Sequence, residues 1–428
     1  MTENSSAWDT FFNNTATLDE IDQHGYSYVT ADSLKRITGR EPRLLAKLDT
    51  LHDCPDVFKT RALTIFPVKN GEYVIFKDPQ RRTYFKLDED QYPVSLEKYT
   101  SVVDLTSFDA FPGIQRLNES QALDFAFVSS LLRNFTGDTG LNLVIRGRTF
   151  SGAFNFKLPD SDHAVNVNGV QIEVDGGYES RDAIYLIEVK TGRRNDFNIR
   201  QLYYPYLEWS AKSRKRIIPL FLIFTNGKFY FFQFGFNRDF GDLTIERASG
   251  FVINESPIAR ISISQLMSRT AAEPEPSVSF PQANDLDKIV DLLSLVDRAD
   301  ITKSEIAEHF DFDERQSDYY ANAAIYLGFL VRAANGFTVT QLGQHLIGMK
   351  SLAMRTEIIV EQMLKRPVFR SVFDLWKKYN LELDHVSLAE IATLIAKHTS
   401  LSGSTPPRRA STVMQWLRWV QRNTVIEA

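Results

Sequence analysis

Residues 170–191 read VQIEVDGGYESRDAIYLIEVKT. Two short apolar runs, Val170 to Asp175 and Ala183 to Lys190, flank the turn-forming stretch GGYESR, the pattern of buried strands. Side chains two apart share a strand face. Glu188 and Lys190 therefore project together, while Tyr185, Ile187 and Val189 point into the packing. The first strand is expected to end at Asp175. If the two strands pair, their open ends place two carboxylates and an ammonium in one cleft.

Outward from this pair, residues 101–267 read as an α/β domain. Glu119 to Asn134 has one apolar helical face, Leu143 to Arg148 and Ala153 to Lys157 are strand-like, and Arg200 to Lys212 reads as a helix kinked at Pro205. Leu220 to Thr225 and Lys228 to Phe234 form a hairpin closed by Asn226-Gly227. Residues 1–100 read as a small mixed module. It has two short helices, Thr30 to Ile37 and Glu41 to Leu48, then strands Ala62 to Val68 and Glu72 to Lys77. Ser268 to Asn284, SRTAAEPEPSVSFPQAN, is a Pro-, Ser- and Glu-rich linker without apolar period. Residues 285–350 give three helices and a hairpin, the order of a winged helix-turn-helix. A capping box at Thr302–Glu305 opens the second helix, Asp313 caps the third and Gly328 ends it. Residues 351–428 form a second helical module, with a capping box at Ser387–Glu390 and a last helix from Arg408 to Arg422. The fold expected is multidomain α+β around an α/β core.

The 428 residues suit about three domains. Apolar residues at 43% and charged residues at 24% are ordinary for a globular chain. Lys plus Arg is 49 against 54 Asp plus Glu, a net charge of -5, which excludes a uniformly basic coat but not a basic cleft. Cys54 is the only cysteine, so neither an internal disulfide nor a cysteine zinc site exists. The start lacks a basic segment followed by an apolar run, and no apolar stretch is long enough to span a bilayer. A soluble, cytoplasmic protein without membrane attachment is the expectation.

Phosphodiester hydrolysis calls for the groups gathered near residue 188. Two carboxylates, Asp175 and Glu188, hold Mg²⁺, and the backbone carbonyl of Val189 is a further candidate ligand. The ion neutralises charge on the phosphate and lowers the pKa of a bound water. Lys190 positions that water and stabilises the transition state. An acid-x-Lys triplet alone is a weak motif. This chain has one, Glu188-Val189-Lys190, and it sits on an apolar strand before a helix.

The stretches IEVDGGYES and IYLIEVKTG, with the following helix, resemble the PD-(D/E)xK nuclease superfamily in its type II restriction-endonuclease branch. The resemblance implies a restriction-endonuclease-like central mixed sheet flanked by helices. It implies metal binding at Asp175 and Glu188 and catalysis by Lys190. Val174 stands where the family's first motif usually has Pro. Gln201 matches a glutamine that some branches place on the next helix, but Pro205 stands where they carry Tyr. An upstream helical acid often completes such sites, and Glu119 and Asp124 are the candidates. Duplex DNA as substrate, a homodimer on a palindromic site and a cognate DNA methyltransferase in the same cell follow from the resemblance.

Arg181 to Arg216 holds nine basic residues against four acids, a local surplus fitting a phosphate-binding cleft. Arg193 and Arg194 lie in it, and Arg146 and Arg148 share a strand face nearby. On the third helix of the winged unit, Arg315, Gln316, Ser317 and Tyr319 have the chemistry of a recognition helix. Arg408, Arg409, Gln415 and Arg418 mark a second DNA-reading helix. RRASTVMQWLRWV and the earlier REPRLLAKLD resemble modules of bacterial restriction enzymes. Two alternatives stay open. One is a DNA-binding regulator with an inactive nuclease-like core. The other is a modification-dependent endonuclease reading methylated bases through its N-terminal module.

Overall fold

The computed structural model describes residues 3–93, 95–104, 107–111, 113–236, 242–254, 259–298, 301–310, 314–333, 336–349 and 351–427. A mixed seven-stranded sheet organises the middle of the chain. Its strands are β1 (Leu96–Tyr99), β2 (Asn142–Phe150), β3 (Gln171–Glu179), β4 (Ala183–Thr191), β5 (Arg216–Thr225), β6 (Lys228–Phe236) and β7 (Leu243–Ile253). They lie in the order β1-β7-β6-β5-β4-β3-β2. β4 runs parallel to β5 and antiparallel to β3. A parallel pair needs a long crossover, and helix α2 (Arg200–Lys212) supplies it, running without interruption through Pro205.

Both faces of the sheet are covered, which explains why β4 and β5 read as continuous apolar runs. Helix α1 (Glu119–Val128) and the short helix Leu131–Thr136 pack on one face, against Tyr185, Ile187, Val189 and Leu222. The helix expected over 119–134 is broken at Ser129 and Ser130, where Ser130 takes a positive φ of 64°. On the other face α2 packs with the N-terminal module, Tyr203 and Tyr204 meeting Phe66, Phe76 and Phe221.

β3 does not end at Asp175; it continues through Gly176 and Gly177 to Glu179. The glycines mark close packing rather than a turn. A Cβ at Gly176 would stand 2.6 Å from Leu123 Cδ2, and one at Gly177 would stand 2.6 Å from Ile145 Cβ. The register also slips here. β2 advances two residues, Ile145 to Gly147, while β3 advances three, Gly177 to Val174. That extra residue is a β-bulge, and bulges re-aim side chains. Val174 packs on the α2 face and Tyr178 on the α1 face, although ordinary alternation would put both on one side.

The N-terminal module folds Trp8, Phe11, Phe12 and Phe58 into its own core beside a three-stranded sheet. Its helices at Ala31–Thr38 and Pro42–Ala46 and its strands at Leu63–Lys69 and Glu72–Lys77 follow the expected pattern. The strand Tyr84–Lys86 pairs with Asp196–Asn198, tying the module to the segment after β4.

In the C-terminal part, α3 (Leu286–Val296), α4 (Lys303–Phe310), α5 (Glu314–Tyr326) and the hairpin Leu330–Ala333/Gly336–Val339 follow in the order expected of a winged helix. The capping boxes at Thr302–Glu305 and Ser387–Glu390 are formed. Asp313, the expected cap of α5, lies outside the described residues. The linker is not loose. Tyr326 donates to Glu275, Phe280 stacks on Phe369, and Trp416 Nε1 donates to the Ala283 carbonyl. The last helix, Thr405–Asn423, buries Val413, Trp416, Leu417 and Val420 as the spacing predicts. Among the described residues no helix is long and apolar enough to cross a membrane.

The β5–β6 turn docks the sheet onto this C-terminal part. Asn226 and Gly227 take positive φ, as an Asn-Gly hairpin turn requires. Asn226 Nδ2 and Lys228 Nζ donate to Asp287, and Trp419 Nε1 donates to the same carboxylate. Thr225 and the Asn226 N–H donate to Asp291, and buried Arg355 donates to Asn226. Burial opposes the Asp287 charge, but Lys228 and Arg193 overcome it and hold that carboxyl at about 2.

Candidate active site

At Asp175 the β3–β4 ladder stops, its last pair being Ile187 with Gly176. Beyond it the Asp175 side chain replaces the missing backbone partner, with Oδ2 accepting the Val189 N–H at 2.8 Å. The bulge and the end of the ladder thus place Asp175 beside the segment 188–190. Glu188 and Lys190 project together, as the alternation predicts, and form an ion pair at 2.7 Å. From α1, Glu119 Oε1 accepts the Thr191 N–H at 3.2 Å. Asn118 caps α1 with a full capping box, fixing the turn that carries Glu119.

The site holds more negative than positive charge. Burial pushes Glu188 up to about 8; Lys190 opposes that rise, while Asp175 and Glu119 add to it. Burial also raises Asp175 against the pull of Lys190 and the Val189 N–H. Burial works against the Lys190 charge, but Glu188, Glu119 and Asp175 outweigh it and keep the ammonium protonated above the usual lysine range. Carboxylates so close raise one another's pKa unless a cation joins them.

A cavity of about 400 Å³ adjoins these groups, lined by Lys47, Asp49, Asn118, Glu119, Ser120, Lys190, Arg194 and His309. Its walls come from the N-terminal module, α1, the end of β4 and α4. Two of them, Lys47 and Asp49, belong to the REPRLLAKLD stretch. Asp49 also stands 3.6 Å from Arg200.

Other sequence-derived candidates fall elsewhere. Asp124 on α1 pairs with Arg146 through both terminal guanidinium nitrogens, and Glu173 on β3 pairs with Arg148, so both β2 arginines are held by acids. Gln201 lies in the first turn of α2, its Oε1 buried without a hydrogen-bond partner. Arg193 is not a surface phosphate contact. Its guanidinium lies over the Tyr92 and Tyr230 rings at 4.5 and 5.5 Å. Arg194 is buried and donates to the Phe310 carbonyl at 2.8 Å, joining β4's continuation to α4. Ser317 is fully buried and faces the core of the winged unit. Arg315 stays exposed, with Gln316 and Tyr319 half-buried. Arg408 and Arg418 are exposed, Gln415 and Arg409 half-buried, and Tyr319 lies close enough to Arg409 to act on its charge. Tyr319 on α5 therefore lies near Arg409 at the start of the last helix.

Sequence reasoning missed Lys47, Asp49 and His309. The first two lay in a stretch noted only for its likeness to other modules. Nothing in the sequence near His309 marks it.

Among the described residues, no three His, Cys, Asp or Glu side chains converge closely enough to form a metal site by themselves. Mg²⁺ asks for less, commonly one or two carboxylates with waters completing its shell. Asp175 and Glu188, all-oxygen donors with excess negative charge, fit that demand.

Residues 5–75 match a family described as a domain of unknown function (DUF6996), residues 80–251 another (DUF6997) and residues 288–424 a third (DUF7226). These matches follow the N-terminal module, the sheet domain and the C-terminal helical part. No curated protein and no solved structure matches the chain.

Proposed function

We propose that the protein is a Mg²⁺-dependent, sequence-specific endonuclease of duplex DNA, of the type II restriction kind. The observation that carries this is the gathering of Asp175, Glu188, Glu119 and Lys190 beside a cavity, with carboxylates outnumbering the cation they surround. Asp175, Glu188 and the Val189 carbonyl would hold the ion, which supplies charge neutralisation at the phosphate and an acidified water. Lys190 binds the scissile phosphate and stabilises the pentavalent transition state. To do so it exchanges its bond to Glu188 for one to the phosphate. Glu119 fixes the Thr191 backbone and so the end of β4. Gln201, with its buried oxygen unmatched, is a positioning residue on α2.

DNA reading is assigned to Arg315, Gln316 and Tyr319 on α5 and to Arg408, Arg409, Gln415 and Arg418 on the last helix. Arg146 and Arg148 reach phosphates only by leaving Asp124 and Glu173. A homodimer acting on a palindrome, and a cognate methyltransferase that protects the host sequence, complete this reading. Digestion of a sequenced plasmid with Mg²⁺, followed by run-off mapping of the ends, tests it. Discrete ends at a common sequence support the proposal; an intact plasmid counts against it.

The Glu188–Lys190 ion pair favours a second reading, a DNA-binding regulator whose core no longer cuts. Sequence-selective binding without cleavage under Mg²⁺ would select it.

A further inference from the structure

The cavity beside Lys190 has one wall from the C-terminal part, the side chain of His309 near the end of α4. Three contacts fix this helix end on the segment that continues β4. His309 Nε2 lies 3.3 Å from Thr191 Oγ1. Arg194 donates to the Phe310 carbonyl at 2.8 Å. The Phe310 ring closes over Gly192, 3.2 Å from where a Cβ would stand. His309 also packs edge-on against Phe310, with ring centroids 4.9 Å apart. The docking of Thr225–Lys228 on Asp287 and Asp291 ties the same domain to the sheet a second time.

Hydrolysis of a phosphodiester has two ends. The carboxylates and Lys190 serve the attacking water and the phosphate. The departing alkoxide needs a proton, and ammonium and guanidinium groups are by their chemistry weak acids, poorly matched to giving one up near neutral pH. Imidazole is the side chain whose ordinary pKa suits proton transfer there. We propose that His309 donates that proton, so that the winged-helix-like domain completes the active site as well as reading DNA. This rests on the nuclease reading above. The water oxygen bonds to phosphorus and its spare proton passes to solvent. The bond from phosphorus to the leaving oxygen breaks, its electron pair stays on that oxygen, and the oxygen takes the His309 proton. His309 regains a proton from solvent, and the products are a phosphomonoester and an alcohol.

The test uses the full chain and duplexes carrying one mapped cleavage site. Their leaving oxygen is kept, or replaced by sulfur, in both the 3′- and 5′-bridging versions. Thiolates leave without protonation. The proposal expects His309→Ala and His309→Asn to cut the oxygen substrate at least about 100-fold more slowly than wild type. It expects near wild-type rates on one sulfur substrate, with DNA binding unchanged. Equal loss on the oxygen and both sulfur substrates would overturn it, as would normal cutting by both variants. A wild type that cuts nothing under Mg²⁺ would overturn the nuclease reading itself and this proposal with it. Cutting by wild type with unaffected variants sinks the His309 role alone.

Discussion

Replacing Asp287 by Asn removes one charge from the junction between the sheet and the C-terminal part. Asp287 and Lys228 are 3% and 2% exposed, with Nζ 2.8 Å from the carboxylate. The carboxylate also accepts from Asn226 and Trp419. Its pKa, held at about 2 by Lys228 and Arg193 against burial, lies below the ordinary 3.8. At about 1.36 kcal/mol per pH unit, that gap favours the charged native form by about 2 kcal/mol. Breaking a buried pair costs more, about 3–5 kcal/mol, because Lys228 is left uncompensated. Urea titration read by tryptophan fluorescence should show a loss in that range for Asp287→Asn. The double variant Asp287→Asn/Lys228→Met should recover at least about 2 kcal/mol of it, since neither charge remains. The Asp287 contribution is complete above pH 3.8 and disappears as pH falls through about 2, so the single variant should also lack that acid-induced loss. A loss below about 1 kcal/mol, or a double variant no more stable than the single, would refute the reasoning.

Four further outcomes are expected. Burial holds the Glu188 pKa above the ordinary carboxylate value, so Mg²⁺ binding there should release protons and weaken as pH falls. Calorimetry in two buffers of different ionisation heat measures that release, and zero release would contradict it. Gly177→Ala should destabilise by about 1–3 kcal/mol in thermal melts, since its Cβ would stand 2.6 Å from Ile145 Cβ. Arg315→Ala and Arg408→Ala should each weaken DNA binding and lower the salt-dependence slope by about one. By contrast, Arg193→Ala, set between Tyr92 and Tyr230, should lower stability.

The elements that the sequence made legible are those fixed by local physics. Buried strands β4 and β5 announce themselves by apolar runs, the β5–β6 turn by Asn226-Gly227, and two helix starts by capping boxes. The pairing of Glu188 with Lys190 on one face followed from strand alternation alone. The position of Asp175 did not. Gly176 and Gly177 look like a turn until Leu123 and Ile145 are seen pressing on them. Contacts across the chain were also hidden. Glu119 meets Thr191 from 72 residues away and His309 from 118. A basic run cannot reveal which arginines are buried: Arg193 lies over the Tyr92 and Tyr230 rings, while Arg194 is buried yet lines the cavity beside Lys190. Ser317 was misread against an available signal, because Ala321 and Ala324, four and seven residues on, belong to the core.

The most direct measurement is cleavage of supercoiled plasmid by wild type, Asp175→Asn, Glu188→Gln and Lys190→Ala, each with Mg²⁺ and with EDTA, beside gel-shift binding of the same DNA. Wild type should linearise the plasmid with Mg²⁺ and not with EDTA. The variants should bind normally and cut at least about 100-fold more slowly. Wild-type cutting rates in all three variants, or no cutting by any protein in Mg²⁺, would contradict the assignment of this site.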